Sequence, residues 1–445
     1  MNMEMLLRYD APVPRYTSYP TAPHFHAGVD AETYGEWLGR LGDGDMLSLY
    51  LHVPFCAEMC WYCGCHTKVV RQYRPVGEYA GLLEREVALV AAAIPARPAV
   101  HHIHWGGGTP NMLSAADFAG LMTAIGEHFH LAANAEVAVE IDPRTLTDDR
   151  AAAMAAAGVT RASLGVQDFN PEVQAAVNRV QPFELVRTVV QRLRAAGIDR
   201  INFDLMYGLP RQTVEHVTRT VDLAAELAPD RLAVFGYAHV PWMKTHQRMI
   251  DEAALPGAAE RLAQAAAAAA RLAGNGYRRI GLDHYARPDD AMTRALDEGR
   301  LRRNFQGYTT DPSSALLGFG ASAIGALAEG YVQNAVPLRA YGEAVRDGRL
   351  AVTRGVRASA DDRLRRAVIE RLMCDLAVDL TDLGADPDAF AAELSALAPM
   401  WRDGLVEIDG NRLRVTEPGR PLVRTVCAAF DRYLQTGKAR HSRAV

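Results

Sequence analysis

Four cysteines fall within ten residues, Cys56, Cys60, Cys63 and Cys65, in the run His52-Val53-Pro54-Phe55-Cys56-Ala57-Glu58-Met59-Cys60-Trp61-Tyr62-Cys63-Gly64-Cys65. The first three are spaced C-x3-C-x2-C, and one short loop with that spacing can wrap three thiolates around three irons of a 4Fe–4S cluster. The fourth iron then has no protein ligand and is open to a small molecule that chelates it through an amine and a carboxylate. Six cysteines in 445 residues, and a start without a signal-peptide pattern, argue against disulfides. A closed zinc site is the stronger rival, but zinc knuckles normally come as two C-x2-C pairs well apart, and the second pair is missing here. Cys374 and Cys427 lie in apolar, helix-like stretches and read as buried core thiols.

An open iron chelated in this way resembles the site of radical S-adenosylmethionine (SAM) enzymes, whose pattern also places an aromatic where Tyr62 stands. Other residues follow expected strand ends. The run Gly106-Gly107-Gly108-Thr109-Pro110 lets backbone approach a ligand closely and fits a contact to the amino group of SAM. A side chain at Gly108 is therefore expected to weaken SAM binding and leave the cluster in place. Glu140, in Glu140-Ile141-Asp142-Pro143, offers a carboxylate for ribose hydroxyls. Gln167, Asp168, Asp204, Ala238 and His239 are further candidates for the rim of the site, in competition with plain structural hydrogen bonding. Two aperiodic stretches, 282–288 and 302–310, mix aromatics, arginines and amides as ligand-facing loops do.

These residues need a frame that brings strand ends together. β-rich runs at 47–53, 101–105, 136–141, 161–166, 201–207 and 231–237 alternate with amphipathic stretches at 79–93, 115–128, 183–196 and 214–227. The alternation predicts βα units around a parallel sheet. Six units predict an incomplete barrel, with 277–283 as an added edge strand, and chemistry at the C-terminal strand ends. The fold class is thus α/β: a partial (β/α)6 barrel at 46–355, preceded by an N-terminal segment at 1–45 and followed by a mainly helical domain at 356–445. The segment holds Pro14-Arg15-Tyr16-Thr17-Ser18-Tyr19-Pro20-Thr21, too rich in proline and aromatics for a regular element, then a helix near 31–41. The last domain reads as helices at 361–376 and 388–397, a hairpin at 405–415 turning on Asp409-Gly410, and a helix at 422–436. Residues 265–270 are polyalanine and read as helix.

Hydrophobic residues make up 49% of the chain, enough for a large core, and no apolar run approaches the ~20 residues of a membrane span. Net charge is −5 with dispersed basic residues, which argues against a nucleic-acid partner. A soluble enzyme of a reducing compartment is the expected class.

The order of motifs, from 14–21 through 56–65, 106–110, 165–170, 202–210, 283–290 and 304–310, closely resembles the oxygen-independent coproporphyrinogen III oxidases (coproporphyrinogen dehydrogenases) over nearly the whole chain. The resemblance implies a radical-SAM barrel, an N-terminal segment near the active site and a helical C-terminal domain. It makes Cys56, Cys60 and Cys63 the cluster ligands and Cys65 a family hallmark that does not bind iron. The first SAM would contact Tyr50, Gly107, Glu140 and the backbone near Ile324. A second SAM would contact Tyr62, Gly108, Thr109, Gln167, Arg179, Asp204 and Ala238.

The implied reaction is anaerobic oxidative decarboxylation of two propionates of coproporphyrinogen III to vinyl groups, giving protoporphyrinogen IX in haem biosynthesis. A 5′-deoxyadenosyl radical made from SAM at the cluster abstracts a hydrogen from each propionate β-carbon. An electron donor such as flavodoxin or ferredoxin, a cytoplasmic location and a monomer go with that reading. Four substrate carboxylates ask for cations, with Arg15, Arg287, Arg302 and Arg303 as candidates. Removing residues 1–22 is expected to spare cluster and SAM binding and abolish decarboxylation. The nearest alternative, a radical-SAM haem chaperone that binds and delivers haem, normally lacks Cys65, the Pro14–Pro20 segment and the 304–310 stretch. All three are present.

Overall fold

A computed structural model of the chain describes residues 3–386 and 388–434. Strands β1 (Met46–Val53), β2 (Ala99–Gly107), β3 (His130–Ile141), β4 (Arg161–Gln167), β5 (Arg200–Tyr207) and β6 (Arg231–Gly236) lie parallel and in chain order. Helices α1 (Arg74–Ala92), α2 (Ala115–His128), α3 (Phe183–Ala195), α4 (Val214–Glu226) and α5 (Ala258–Gly274) supply most of the outer layer. A parallel pair cannot be joined by a tight turn, so each strand needs such a crossover. Helix starts are marked by side-chain caps: Ser114 Oγ accepts from Asp117 N at 3.1 Å and Thr213 Oγ1 from His216 N at 3.2 Å.

β1 shows why the strands take these positions. Leu47, Leu49, Leu51 and Val53 are fully buried and share one face, toward the helices. Ser48, Tyr50 and His52 share the other, toward the barrel interior. That interior is polar: His102, His104, Glu136, Arg161, Asn202 and Asp204 border a cavity of about 170 Å³. Glu136 accepts from His102 Nε2 at 3.1 Å and from Arg161 Nη2 at 3.2 Å, so the buried charges are paired.

The sheet extends further than six units. β7 (Ala315–Phe319) runs parallel to β1, with Tyr50 opposite Gly318, and the antiparallel strands Ile324–Leu327, Gly330–Asn334 and Val352–Arg357 follow it outward. On the far edge His284–Ala286 and Arg278–Ile280 pair antiparallel. The edge strands of this twelve-stranded sheet do not meet, so the barrel stays open. The stretch 302–310, read as an aperiodic loop, is instead a small hairpin of Arg302–Asn304 against Gly307–Thr309.

A second core joins the two ends of the chain. Val13, Tyr16 and Tyr19 are buried beside Ile369, Leu372, Val423 and Phe430. Tyr16 Oη donates to Asp431 Oδ2 at 3.1 Å, and Tyr19 Oη accepts from Arg432 N at 3.1 Å. Ala360–Asp375 and the sheet formed by Ala377–Asp379, Arg412–Val415 and Val406–Asp409 complete this region. The hairpin turns at Gly410, whose φ is +55°. The expected final helix is shorter, Val423–Ala428, and residues 435 and 436 lie outside the described residues. No helix among the described residues is long and apolar enough to cross a membrane.

Candidate active site

β1 ends at Val53, and the chain enters the cysteine loop. Phe55–Cys56 pairs in parallel with Lys68–Val69, which closes the loop at its base. The loop's carbonyls are then taken up from outside. Asn178 Nδ2 donates to Met59 O at 2.8 Å, Gln247 Nε2 to Tyr62 O at 2.9 Å, His246 Nε2 to Cys63 O at 2.7 Å and Lys244 Nζ to Cys65 O at 3.0 Å. A loop with its backbone satisfied this way is held in one conformation.

Each of the first three sulfurs faces donors. Cys56 Sγ is 3.1 Å from Thr67 Oγ1 and 3.3 Å from Thr109 Oγ1. Cys60 Sγ lies 3.3 Å from Arg179 Nη1 and 3.5 Å from Arg144 Nη2. Cys63 Sγ accepts from Cys65 N at 3.4 Å. The Cys63–Cys65 contact splits the two thiols: the hydrogen bond between their side chains, more than the backbone one, pulls Cys63 below the ordinary thiol range, and that side-chain bond pushes Cys65 well above it. Cys56 is raised, because burial outweighs its two hydroxyl contacts. Three sulfurs supplied with N–H, O–H and guanidinium donors fit an anionic iron–sulfur cluster bound through thiolates. Among the described residues no group of three or more His, Cys, Asp or Glu is placed to hold a single ion. A cluster that takes one thiolate per iron does not ask for such a cage.

The glycine run follows β2 at the same end of the barrel. Gly107 N donates to Glu140 Oε2 at 3.2 Å, and His104 Nε2 to Glu140 Oε1 at 3.1 Å. Burial pushes the Glu140 carboxyl up, but these hydrogen bonds outweigh it and hold the group below its ordinary value. Tyr50 Oη meets His52 Nδ1 at 3.0 Å, and its ring stacks at 6.0 Å on His104. Ile324 begins the strand beside β7, level with Tyr50.

The glycines themselves close first on protein. A Cβ at Gly108 would lie 2.6 Å from Thr67 Oγ1 and 2.7 Å from Phe55 O, and one at Gly107 would strike the His52 ring at 2.7 Å. Substitution at Gly108 therefore presses on the strand carrying Cys56 as well as on the ligand-facing side of the run.

The remaining candidates line the next strand ends. β4 is bulged between Gly165 and Gln167, and Gln167 has φ +67°, a left-handed conformation uncommon for a side chain of this kind. The bulge re-aims Gln167 at the rim. Arg179 Nη2 donates to Gly165 O at 2.6 Å while its Nη1 lies 3.4 Å from Asp142 Oδ2, so one guanidinium ties β4 to Asp142 and to Cys60. Asp204 in β5 contacts Ser163 Oγ at 3.4 Å, and burial, with the Glu140 charge, raises it to about 7. Ala238 O accepts from Gln247 Nε2 at 3.3 Å, the same amide that holds Tyr62. Asp168 and His239 are engaged internally, with Gln212 Nε2 at 2.6 Å and Glu252 Oε1 at 3.0 Å.

Beside this rim lies a cavity of about 660 Å³, between the ends of β5 and β6, helix α5, the N-terminal segment and the second core. Of the four arginines proposed from the sequence for carboxylates, two border it. Arg15 Nη2 donates to Gly236 O at 3.2 Å, and Arg303 Nη2 donates to Arg15 O at 3.3 Å. The other two do not. Arg287 holds Pro229 O and Ala228 O at the opposite end of β6, and Arg302 lies 3.7 Å from Glu370 Oε2. Sequence reading missed Arg261, Arg279 and Arg424, which also line the cavity. A signal existed for the first: Arg261, Leu262, Ala265, Ala266 and Ala269 recur at helical spacing on one face of α5.

Comparison with known proteins completes the picture. A family model described as the Radical SAM superfamily matches residues 50–224, and one described as the HemN C-terminal domain matches residues 358–422. The oxygen-independent coproporphyrinogen III oxidase of Bradyrhizobium diazoefficiens is 55% identical over 97% of this chain and 97% of its own. That of Escherichia coli is 41% identical over 98% and 96%. The solved structure of coproporphyrinogen III oxidase from Escherichia coli, described as a radical SAM enzyme, superposes with a TM-score of 0.91 at 40% identity, covering 97% of this chain and 99% of that one.

Proposed function

The chain belongs to the oxygen-independent coproporphyrinogen III oxidase family of radical SAM enzymes, and from that premise we infer that it catalyses the anaerobic oxidative decarboxylation of coproporphyrinogen III in haem biosynthesis. The observation that carries this reading is full-length similarity joined to three donor-supplied sulfurs at the C-terminal end of β1. When bound, the cluster and SAM supply the electron and the 5′-deoxyadenosyl radical that removes a hydrogen atom from a propionate β-carbon. Loss of CO2, with transfer of one electron to an external one-electron acceptor, would leave a vinyl group, twice per substrate.

This chain's residues do the rest. Cys56, Cys60 and Cys63 would hold the cluster through their three thiolates. Gly107 N–H and Glu140 are fixed against each other and offer a backbone edge and an ionised carboxylate to SAM, with Tyr50 and the backbone at Ile324 beside them. Tyr62, Gly108, Thr109, Gln167, Arg179, Asp204 and Ala238 make a second stretch of rim, wide enough in composition for a second SAM. Cys65 stands beside Cys63 as a further thiol at the cluster loop rather than as a ligand. The 1–45 segment closes the mouth through Arg15, the 46–355 barrel carries the cofactors, and Glu417, Pro421 and Arg424 of the last domain wall the substrate side. The reductant is a one-electron donor of the flavodoxin or ferredoxin kind, and the protein works as a monomer in the cytoplasm.

Delivery of haem by a chaperone is the second reading; Cys65 and the Arg15 segment favour the oxidase. Anaerobic incubation of reconstituted protein with SAM, reductant and coproporphyrinogen III tests the choice. Protoporphyrinogen IX formed catalytically supports the oxidase. Stoichiometric haem binding without that product would replace it.

A further inference from the structure

We infer that the cavity of about 660 Å³ is a polycarboxylate site in which Arg261, Arg279 and Arg303 hold propionates of a macrocycle, and that the number of carboxylates sets affinity. The inference deepens the oxidase reading and rests on it for the identity of the ring.

Five guanidinium groups line the cavity, those of Arg15, Arg261, Arg279, Arg303 and Arg424, against the carboxylates of Asp283 and Glu417. Both acids are engaged elsewhere. Asp283 Oδ1 lies 2.8 Å from His284 Nδ1, and Glu417 is paired with Arg420. Arg261 is placed by its Tyr207 ring contact at 5.8 Å, Arg279 by Leu282 O at 3.0 Å and Arg303 by the Tyr308 ring at 4.5 Å and Arg15 O. None of these contacts is with a carboxylate. Nε and Nη1 of Arg303 and Nε of Arg279 are buried without a hydrogen-bond partner. Buried guanidinium N–H groups left unpaired are costly, and planar forks of this kind match carboxylates two bonds at a time.

Much of the remaining wall is apolar. Leu262, Ala265, Ala266 and Ala269 come from α5, where alanines leave room that larger side chains would fill, and Tyr237 and Trp242 stand opposite in the lining. An apolar floor under a cationic rim suits a large hydrocarbon ring with carboxylates at its edge, and the volume lies in the range of ligand pockets. Each decarboxylation removes one anionic group, so the product gives up guanidinium contacts and is released.

The test measures fluorescence-quenching affinities on the full-length, anaerobically reconstituted protein. The probes are coproporphyrin III with four carboxylates, protoporphyrin IX with two, and coproporphyrin III tetramethyl ester with none. Wild type is expected to bind them in that order. Arg261→Gln and Arg279→Gln should each weaken coproporphyrin III binding by about tenfold to a hundredfold, as loss of a charge-assisted pair predicts. Ester binding and SAM binding should not change, and Arg261→Lys should recover only part of the loss. Should one variant fail to fold, the other carries the comparison. The site is overturned if the folded variants bind coproporphyrin III as wild type does, or if ester affinity falls in parallel. Arginine-dependent binding without turnover of coproporphyrinogen III would leave the site and remove the reaction. Turnover with arginine-independent binding would do the reverse.

Discussion

Cys60 has its sulfur between two guanidinium groups, Cys56 has two hydroxyls and Cys63 a backbone N–H, whereas Cys65 stands as the donor to its neighbour. Alanine at Cys56, Cys60 or Cys63 should therefore abolish the 4Fe–4S absorbance and all SAM cleavage. Cys65→Ala keeps the backbone N–H that Cys63 accepts and should retain the cluster while losing decarboxylation. Iron and sulfide analysis with visible absorbance decides it, and a full cluster in any of the first three variants contradicts the assignment. At this scale the sequence was most legible, because cysteine spacing within one loop is set by local geometry. The guanidiniums at Cys60 were not legible in that role. Arg144 and Arg179 reach it from 84 and 119 residues away, and only the folded barrel brings β3 and β4 ends to the loop.

At the scale of elements, the glycine run is a packing requirement of the cysteine strand. Gly108→Ala places a Cβ within 2.8 Å of both Phe55 N and Phe55 O, and should lower cluster content on reconstitution before any effect on SAM is seen. A variant with normal cluster content and weakened SAM binding would return the run to a purely ligand-facing role. Helix α1 is tied to the β7 side of the sheet by Glu86, which is buried and accepts from Gly320 N at 2.6 Å, Asn334 Nδ2 at 2.6 Å and Tyr341 Oη at 2.7 Å. Burial raises this carboxyl to about 7 despite those bonds. The folded protein then holds a proton that the unfolded chain releases near its ordinary value, so stability falls as pH rises from about 4.5 to about 7. The loss amounts to up to about 3 kcal/mol at 1.36 kcal/mol per pH unit. Urea midpoints measured across that window should fall more steeply for wild type than for Glu86→Gln. Equal slopes would mean the group does not titrate there. Strands β1 to β6 were legible because their apolar runs are long. The strands after 315 were not, because they are short and glycine-interrupted and read equally well as loops.

For the whole molecule, the N-terminal segment is part of the second core rather than a free strap. Deleting residues 1–22 removes Val13, Tyr16 and Tyr19 from that core, and at ~1.5–3 kcal/mol for each buried side chain this costs on the order of 5 kcal/mol. The truncated protein should unfold earlier in its C-terminal part, so lost decarboxylation would not isolate a substrate role. Arg15→Lys does isolate it: KM for coproporphyrinogen III should rise about tenfold with the unfolding midpoint unchanged, because lysine cannot reproduce a bidentate pair. An unchanged KM would confine Arg15 to its contact with Gly236. This closure of chain ends was hidden in the sequence, since nothing local relates residue 16 to residue 431. The central claim, that a SAM-derived radical at this barrel's rim takes hydrogen from the propionate β-carbon, is tested most directly with coproporphyrinogen III deuterated at those carbons. Under anaerobic turnover, deuterium should appear in 5′-deoxyadenosine as protoporphyrinogen IX forms, and neither should form with Cys60→Ala. Protoporphyrinogen IX accompanied by unlabelled 5′-deoxyadenosine would contradict the account.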